Sequence, residues 1–390
     1  MPEIPALPDP RVFPDVASAS GPARAIYELA ERALSAEIGQ QADTHERELR
    51  TRLVALLLQG EGDELDRMFT EAPSISVSRH VWRALDAAWR DAARADASSS
   101  LETTVFALPI VLVAGREGGD GGVLPAILEH VAALAAILRD HGALGGNANF
   151  ALSGALIGAD AIDIARLPEI LAWCRLPDTR DAGPRVLPHA FSPAPMAFSA
   201  GVEAVHLRFI AGLAIAKAGA DLTADARVGK WGILLARELT AQLSSAGTSL
   251  LALPRAPRRL LPAVAEGRTA GRDVAAQIFA SNALRKFRSA VGEPSAVISA
   301  HRAPDAPGGG ELRLSLSSPF DPKAAEGFRC PLFPTERVSD VASMLTTLMR
   351  DCRLTDIRVL DGLHADRGES GATLLFKPET IADATRFRVH

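Results

Sequence analysis

The chain has 390 residues, 47% of them hydrophobic and 23% charged, a globular composition that excludes wholesale disorder and supplies ample material for a buried core. Its formal charge of -5 excludes a strongly acidic or basic character, yet it conceals an asymmetry: residues 1–200 hold 27 acidic against 17 basic side chains, and residues 201–390 hold 20 against 25. Three cysteines, Cys174, Cys330 and Cys352, lie too far apart for a disulfide framework or a zinc site and fit a reducing cytoplasm, while 37 Arg against 5 Lys fits the coding bias of a GC-rich bacterial genome.

The first ten residues carry four prolines and no basic stretch leading into an apolar core, so they read as a Pro-rich arm and not as a signal peptide. From Pro22 to Ala97 the apolar residues recur at three and four, as in Ile26, Leu29, Ala30 and Ala33, which predicts a helical bundle. Gly39 and Gly60 stand where helices should end, and Ser78 is placed to cap a helix carrying Trp82 and Trp89 on one face, both expected in the core.

At Thr103–Ala114 a nearly continuous apolar run rich in β-branched residues predicts a strand buried on both faces. Pro109 argues for an edge or a bulge there, and a buried helix start is the alternative reading. Helical patterning resumes at Val123–Arg139, Leu167–Cys174, Ala200–Lys217 and Thr223–Ser244, with a proline-rich connection from Pro177 to Pro195. The uncharged interval His141–Ala159 has too many glycines and polar residues to cross a membrane and reads as a tightly packed segment, with Asn147 or Asn149 capping a following helix.

Beyond a helix at Gly271–Ala290, alternating strands are expected at Ser295–Ala300 and Glu311–Ser317 around the Gly308–Gly310 turn. A helix through Val338–Met349 and strands at Thr355–Leu360 and Ala372–Phe376 follow. The pattern predicts an α+β, predominantly helical fold: an N-terminal helical bundle (1–100), a central helix-rich region with at least one buried strand (101–270), and a small antiparallel sheet with helices on one face (271–390).

The glycine cluster Gly115–Gly122 is the first place where chemistry is expected. Between a strand and a helix, free backbone N–H groups at Gly118, Gly119, Gly121 and Gly122, with Arg116 as counter-charge, could hold a phosphorylated ligand. Neither a dinucleotide fingerprint nor a P-loop is present, however, and Glu117 and Asp120 oppose an anion. Ser199, in an Ala-Phe-Ser-Ala-Gly sequence, resembles a nucleophile elbow but follows prolines instead of a strand, so it is expected to cap a helix.

His301 with Asp305, and Asp361, His364 and Asp366, could ligate a metal if they met. Strand 355–360 is expected to run parallel to 311–317 and antiparallel to 295–300, which puts the two histidines at opposite ends of the sheet, so no metal and no cofactor are expected. The basic run Arg255, Arg258, Arg259, Arg268, Arg272, Arg285, Lys286 and Arg288 suits pairing with carboxylates, within the chain or on a protein partner. With one Tyr and scattered Phe for stacking, nucleic acid is a poor third. No catalytic constellation stands out. The expected role is a cytoplasmic protein–protein interaction or assembly component that self-associates or binds a protein partner, and the alternative is a phosphorylated-ligand enzyme or sensor using the glycine loop.

Overall fold

The computed structural model describes residues 7–19, 21–37, 39–93, 101–116, 122–145, 148–175, 191–198, 203–217, 228–244, 248–303, 309–318, 320–321 and 324–364. Leucine and alanine at helical spacing give α1 (Gly21–Ser35), α2 (Gly39–Gln59), α3 (Gly62–Thr70) and α4 (Ile75–Ala93). Gly60, with φ of +86°, ends α2 as glycine should, whereas Gly39 opens that helix instead of closing α1. The cap of α4 is Ser74, whose hydroxyl accepts from the Val77 N–H at 3.2 Å, and the expected cap Ser78 is buried inside the helix.

There follow β1 (Leu101–Arg116), β2 (Gly122–Leu124), α5 (Val131–Asp140), β3 (Asn149–Ile157), α6 (Leu167–Cys174), β4 (Met196–Phe198), β5 (Ala204–Lys217), α7 (Val228–Leu243), β6 (Thr248–Pro254), β7 (Arg258–Arg259) and the long α8 (Leu260–Ala290). The remaining elements are β8 (Ser295–Arg302), β9 (Gly310–Ser317), β10 (Ala325–Pro331), α9 (Val338–Asp351) and β11 (Ile357–His364). The fold is α+β. The described residues form two compact units, one within 46–66 and 83–271, the other within 7–45, 67–82 and 272–364.

In the first unit the strand order is β3-β5-β1-β6, all antiparallel, with β7 continuing beside β1 where β6 stops. The residues expected to form a buried strand do so as β1. Phe106, Leu108, Ile110 and Leu112 join a core with α5 and α7, contributed by Leu134, Leu138, Trp231 and Leu235. The intervening Val105, Ala107 and Val111 are equally buried on the opposite side. Pro109 sits mid-strand without loss, because its carbonyl accepts from the Arg255 N–H at 2.8 Å and its missing N–H falls opposite the break between β6 and β7.

Three expected helical features are corrected here. Residues 204–217 form a strand, not a helix: β5 lies between β1 and β3, and burial on both faces erases the alternation that would mark it. Asn149 opens strand β3 and caps no helix. The Val123–Arg139 helix starts only at Val131, Val123 being taken into the β2–β4 pair.

The second unit carries the sheet β10-β9-β8-β11. Registers place Ile298, Leu314 and Phe328 on one apolar face, where Phe279 of α8 stacks on Phe328 with centroids 5.4 Å apart. Helix α9 packs along β8 and β9 with Val341, Leu345 and Met349 buried. The strand β10, hidden in the sequence by Gly327, Arg329 and Pro331, occupies the free edge of β9. Strand β11 pairs with β8 in parallel, not antiparallel as expected, and His364 falls beside His301 in the register, not at the opposite end. The strand expected at Ala372–Phe376 lies outside the described residues.

Candidate functional site

Of the glycine-loop residues, Gly118, Gly119 and Gly121 lie outside the described residues, and Arg116 is placed only as the last backbone position of β1. Gly122 pairs with Phe198, whose ring would lie 2.6 Å from an added Cβ. The helix terminus that would give this loop its dipole is at Val131, nine residues beyond Gly122.

A better-formed site lies at the sheet edge of the same unit. The β3 edge is covered: Leu128 N–H donates to the Gly154 carbonyl at 2.9 Å and Leu156 N–H to the Ala126 carbonyl at 2.7 Å. At the other end, β6 pairs only with β1 among the described residues. The bond from Arg255 N–H to Pro109 sets the phase of the ladder. Counting back by twos, the backbone groups of Leu253, Leu251 and Ser249 turn to β1, and those of Leu250, Ala252 and Pro254 turn outward. A proline whose N side faces away from the sheet suits an edge strand.

Helix α7 runs alongside this edge. Its Trp231, Leu235, Leu239 and Leu243 are sunk in the core, but its neighbouring face carries Gly229, Gly232 and Ala236, which leave a cleft of about 760 Å³ between helix and strand. The cleft is apolar, and its rims hold side chains that folding leaves in water: Ile233 is 62% exposed and Leu251 54%. Thr240 is its hydroxyl, Arg237 and Arg255 are its charged side chains, and no carboxylate lines it among the described residues.

The basic run of the sequence resolves into two kinds of residue. Arg258 bonds Glu266 at 3.1 Å, Arg259 bonds Asp86 at 2.9 Å, Arg285 bonds Asn282 at 2.8 Å, Arg288 bonds Glu293 at 2.7 Å, and Lys286 pairs with Glu326. Half-buried Arg268 and buried Arg272 lie among carboxylates, Asp163 and Asp66 for the first and Glu336 for the second. Arg255 differs. Its guanidinium has no partner among the described residues, its Nε is buried without a hydrogen bond, and it stands in the cleft wall. The notion of a basic patch therefore contracts to one arginine beside an apolar groove. Scans against protein-family models, curated proteins and solved structures find no match for this chain.

The second unit holds a different polar cluster, on the sheet face opposite Ile298 and Leu314. Glu311 is 1% exposed and accepts from Arg313 Nε and Arg329 Nε, both at 2.5 Å, and Ser299 Oγ lies 2.8 Å from His301 Nε2. His301 and Glu311 face each other across β8 and β9. With both carboxylate oxygens engaged by guanidinium groups, Glu311 is committed to ion pairing. No group of three or more potential metal ligands occurs among the described residues.

The sequence did not disclose the cleft. Its only signal there was Arg255 in a proline-bounded segment, because the small face of α7 becomes a groove wall only if β6 is an edge.

Proposed function

We propose that the chain is a protein-docking component that receives a segment of a partner protein in the groove between α7 and β6. The observation that carries this reading is the coincidence of a sheet edge left unpaired among the described residues with an apolar cleft whose rims expose Ile233 and Leu251. Exposed apolar surface costs solubility unless something covers it, and a groove beside an edge strand is a recurrent peptide-receiving form. A reducing cytoplasm as its setting is supported by three free cysteines, two of them buried with thiols pushed up to about 12 by burial. Bacterial origin rests on the arginine bias alone.

The test is selection of a random octapeptide library, displayed with a free carboxyl end, on the immobilised full-length chain. Enriched peptides, resynthesised with a fluorophore, should bind in anisotropy measurements and bind at least tenfold more weakly to an Ile233→Ser, Leu251→Ser double variant. Both positions are exposed, so the variant should melt with the wild type. An unenriched pool, or peptides that bind the double variant equally well, would refute the reading.

A further inference from the structure

Resting on the docking reading, we infer that the groove takes an extended segment added as a strand to β6 and carrying a carboxylate, from a side chain or a chain end, that seats on Arg255. Three features converge on this ligand class. The outward N–H and C=O groups of Leu250 and Ala252 provide a ladder for an incoming backbone, and the register fixes which residues of β6 offer it. In a strand laid there, every second side chain points between β6 and α7, where Gly229, Gly232 and Ala236 leave room for apolar groups.

The third feature is charge. Every other described arginine of the 255–288 run has an acidic or amide partner, whereas Arg255, at the Pro254 end of the strand, has none among the described residues, with Arg237 as the second cation of the cleft. A half-buried guanidinium without a counter-ion is costly to keep and is completed by a bidentate carboxylate. A Cβ on Gly232 would lie 3.8 Å from the Pro254 ring, so the glycine face of α7 lies against the end of β6 that leads into Arg255. The anion is thereby assigned to the Pro254 end of the groove and the apolar side chains to the remainder.

The peptides recovered in the selection serve as probes. Amidating the carboxyl end and replacing acidic residues by their amides should weaken binding at least tenfold to the wild type but less than twofold to Arg255→Gln. Backbone N-methylation, one residue at a time, should weaken binding at alternate positions only, which reads strand addition without altering the protein. Amide peptides that bind the wild type as well as their acids, or a methylation profile without alternation, would overturn the inference. If those same peptides still lost affinity on the Ile233→Ser, Leu251→Ser variant, groove docking would stand and its ligand class would be wrong. Sedimentation of the chain alone as a dimer that this double variant dissolves would equally overturn it, with a second copy as the occupant.

Discussion

Glu311 carries two guanidinium groups on one buried carboxylate, an arrangement whose worth lies mostly in what its loss would leave behind. Two charges brought out of water are tolerated only while paired, so Glu311→Ala should destabilise the chain by about 3–5 kcal/mol. Denaturant titration measures this, and a loss below about 1 kcal/mol would mean that other groups hold the arginines. His206, on β5, presents the reverse case. Burial, with the charge of Arg208 beside it, lowers its pKa from 6.5 to about 4 against an opposing effect from a backbone bond to Ala197, and its Nε2 has no hydrogen-bond partner among the described residues. The folded state keeps this imidazole neutral while the unfolded chain protonates it near 6.5. Its contribution is therefore undiminished above that pH and falls as pH drops toward 4, by about 2 kcal/mol at pH 5. Urea midpoints at pH 7 and pH 5 should show this share of the pH dependence in the wild type and lack it in His206→Asn. Equal slopes for the two proteins would contradict the assignment.

At the scale of elements, the β1–β5 pair offers the most direct test of register. Gly212 stands opposite Phe106, and a Cβ there would meet the ring at 2.1 Å. Gly212→Ala should cost about 1–3 kcal/mol through overpacking, and Phe106→Leu in the same chain should recover part of it, a non-additivity that a double-mutant cycle reports. Additive effects would mean that the two residues do not face each other. This pair also shows why β1 was legible and β5 was not. Val105, Ile110, Val111 and Val113 concentrate β-branched residues in β1, whereas β5 mixes Ala204, Ala211 and Ala214 with Val205, Phe209 and Leu213 at four-residue spacing, a pattern that a helix would also produce. Strand β10 was illegible for another reason: Gly327 and Pro331 dilute its propensity, and its burial comes from a partner strand, not from its own alternation. The candidate site was legible only in part. Arg255 stood out with its neighbours, but Glu266 and Asp86, which neutralise Arg258 and Arg259, are remote enough in sequence that only the fold could show which arginine was left over.

At the scale of the molecule, the acidic and basic halves seen in the sequence are partly joined by specific long-range ties, and the Pro-rich arm makes the longest of them. Arg11, held in shape by Asp9 through its Nε at 2.8 Å, donates to the Phe333 carbonyl at 2.9 Å and to the Glu336 carbonyl at 2.7 Å, across more than 320 residues. The Glu336 side chain in turn accepts from Arg272 of α8 at 2.5 Å and from the Phe333 N–H at 3.0 Å, so the arm, the long helix and the turn before α9 share one polar hub. Pro10 and Arg11 also lie against Gly310 at the start of β9, where a Cβ would come within 2.7 Å of the proline ring. Such a contact closes a very long loop, but closure cost grows only with the logarithm of loop length, so a few buried charge-assisted bonds can offset it. Arg11→Ala should therefore destabilise the second unit by about 2–3 kcal/mol, and removal of residues 1–14 should do no more than slightly exceed that. Amide exchange read at residues 333–337 and along β9 should accelerate in both variants. Unchanged exchange in the truncated chain would mean that the arm rests on the unit without bracing it.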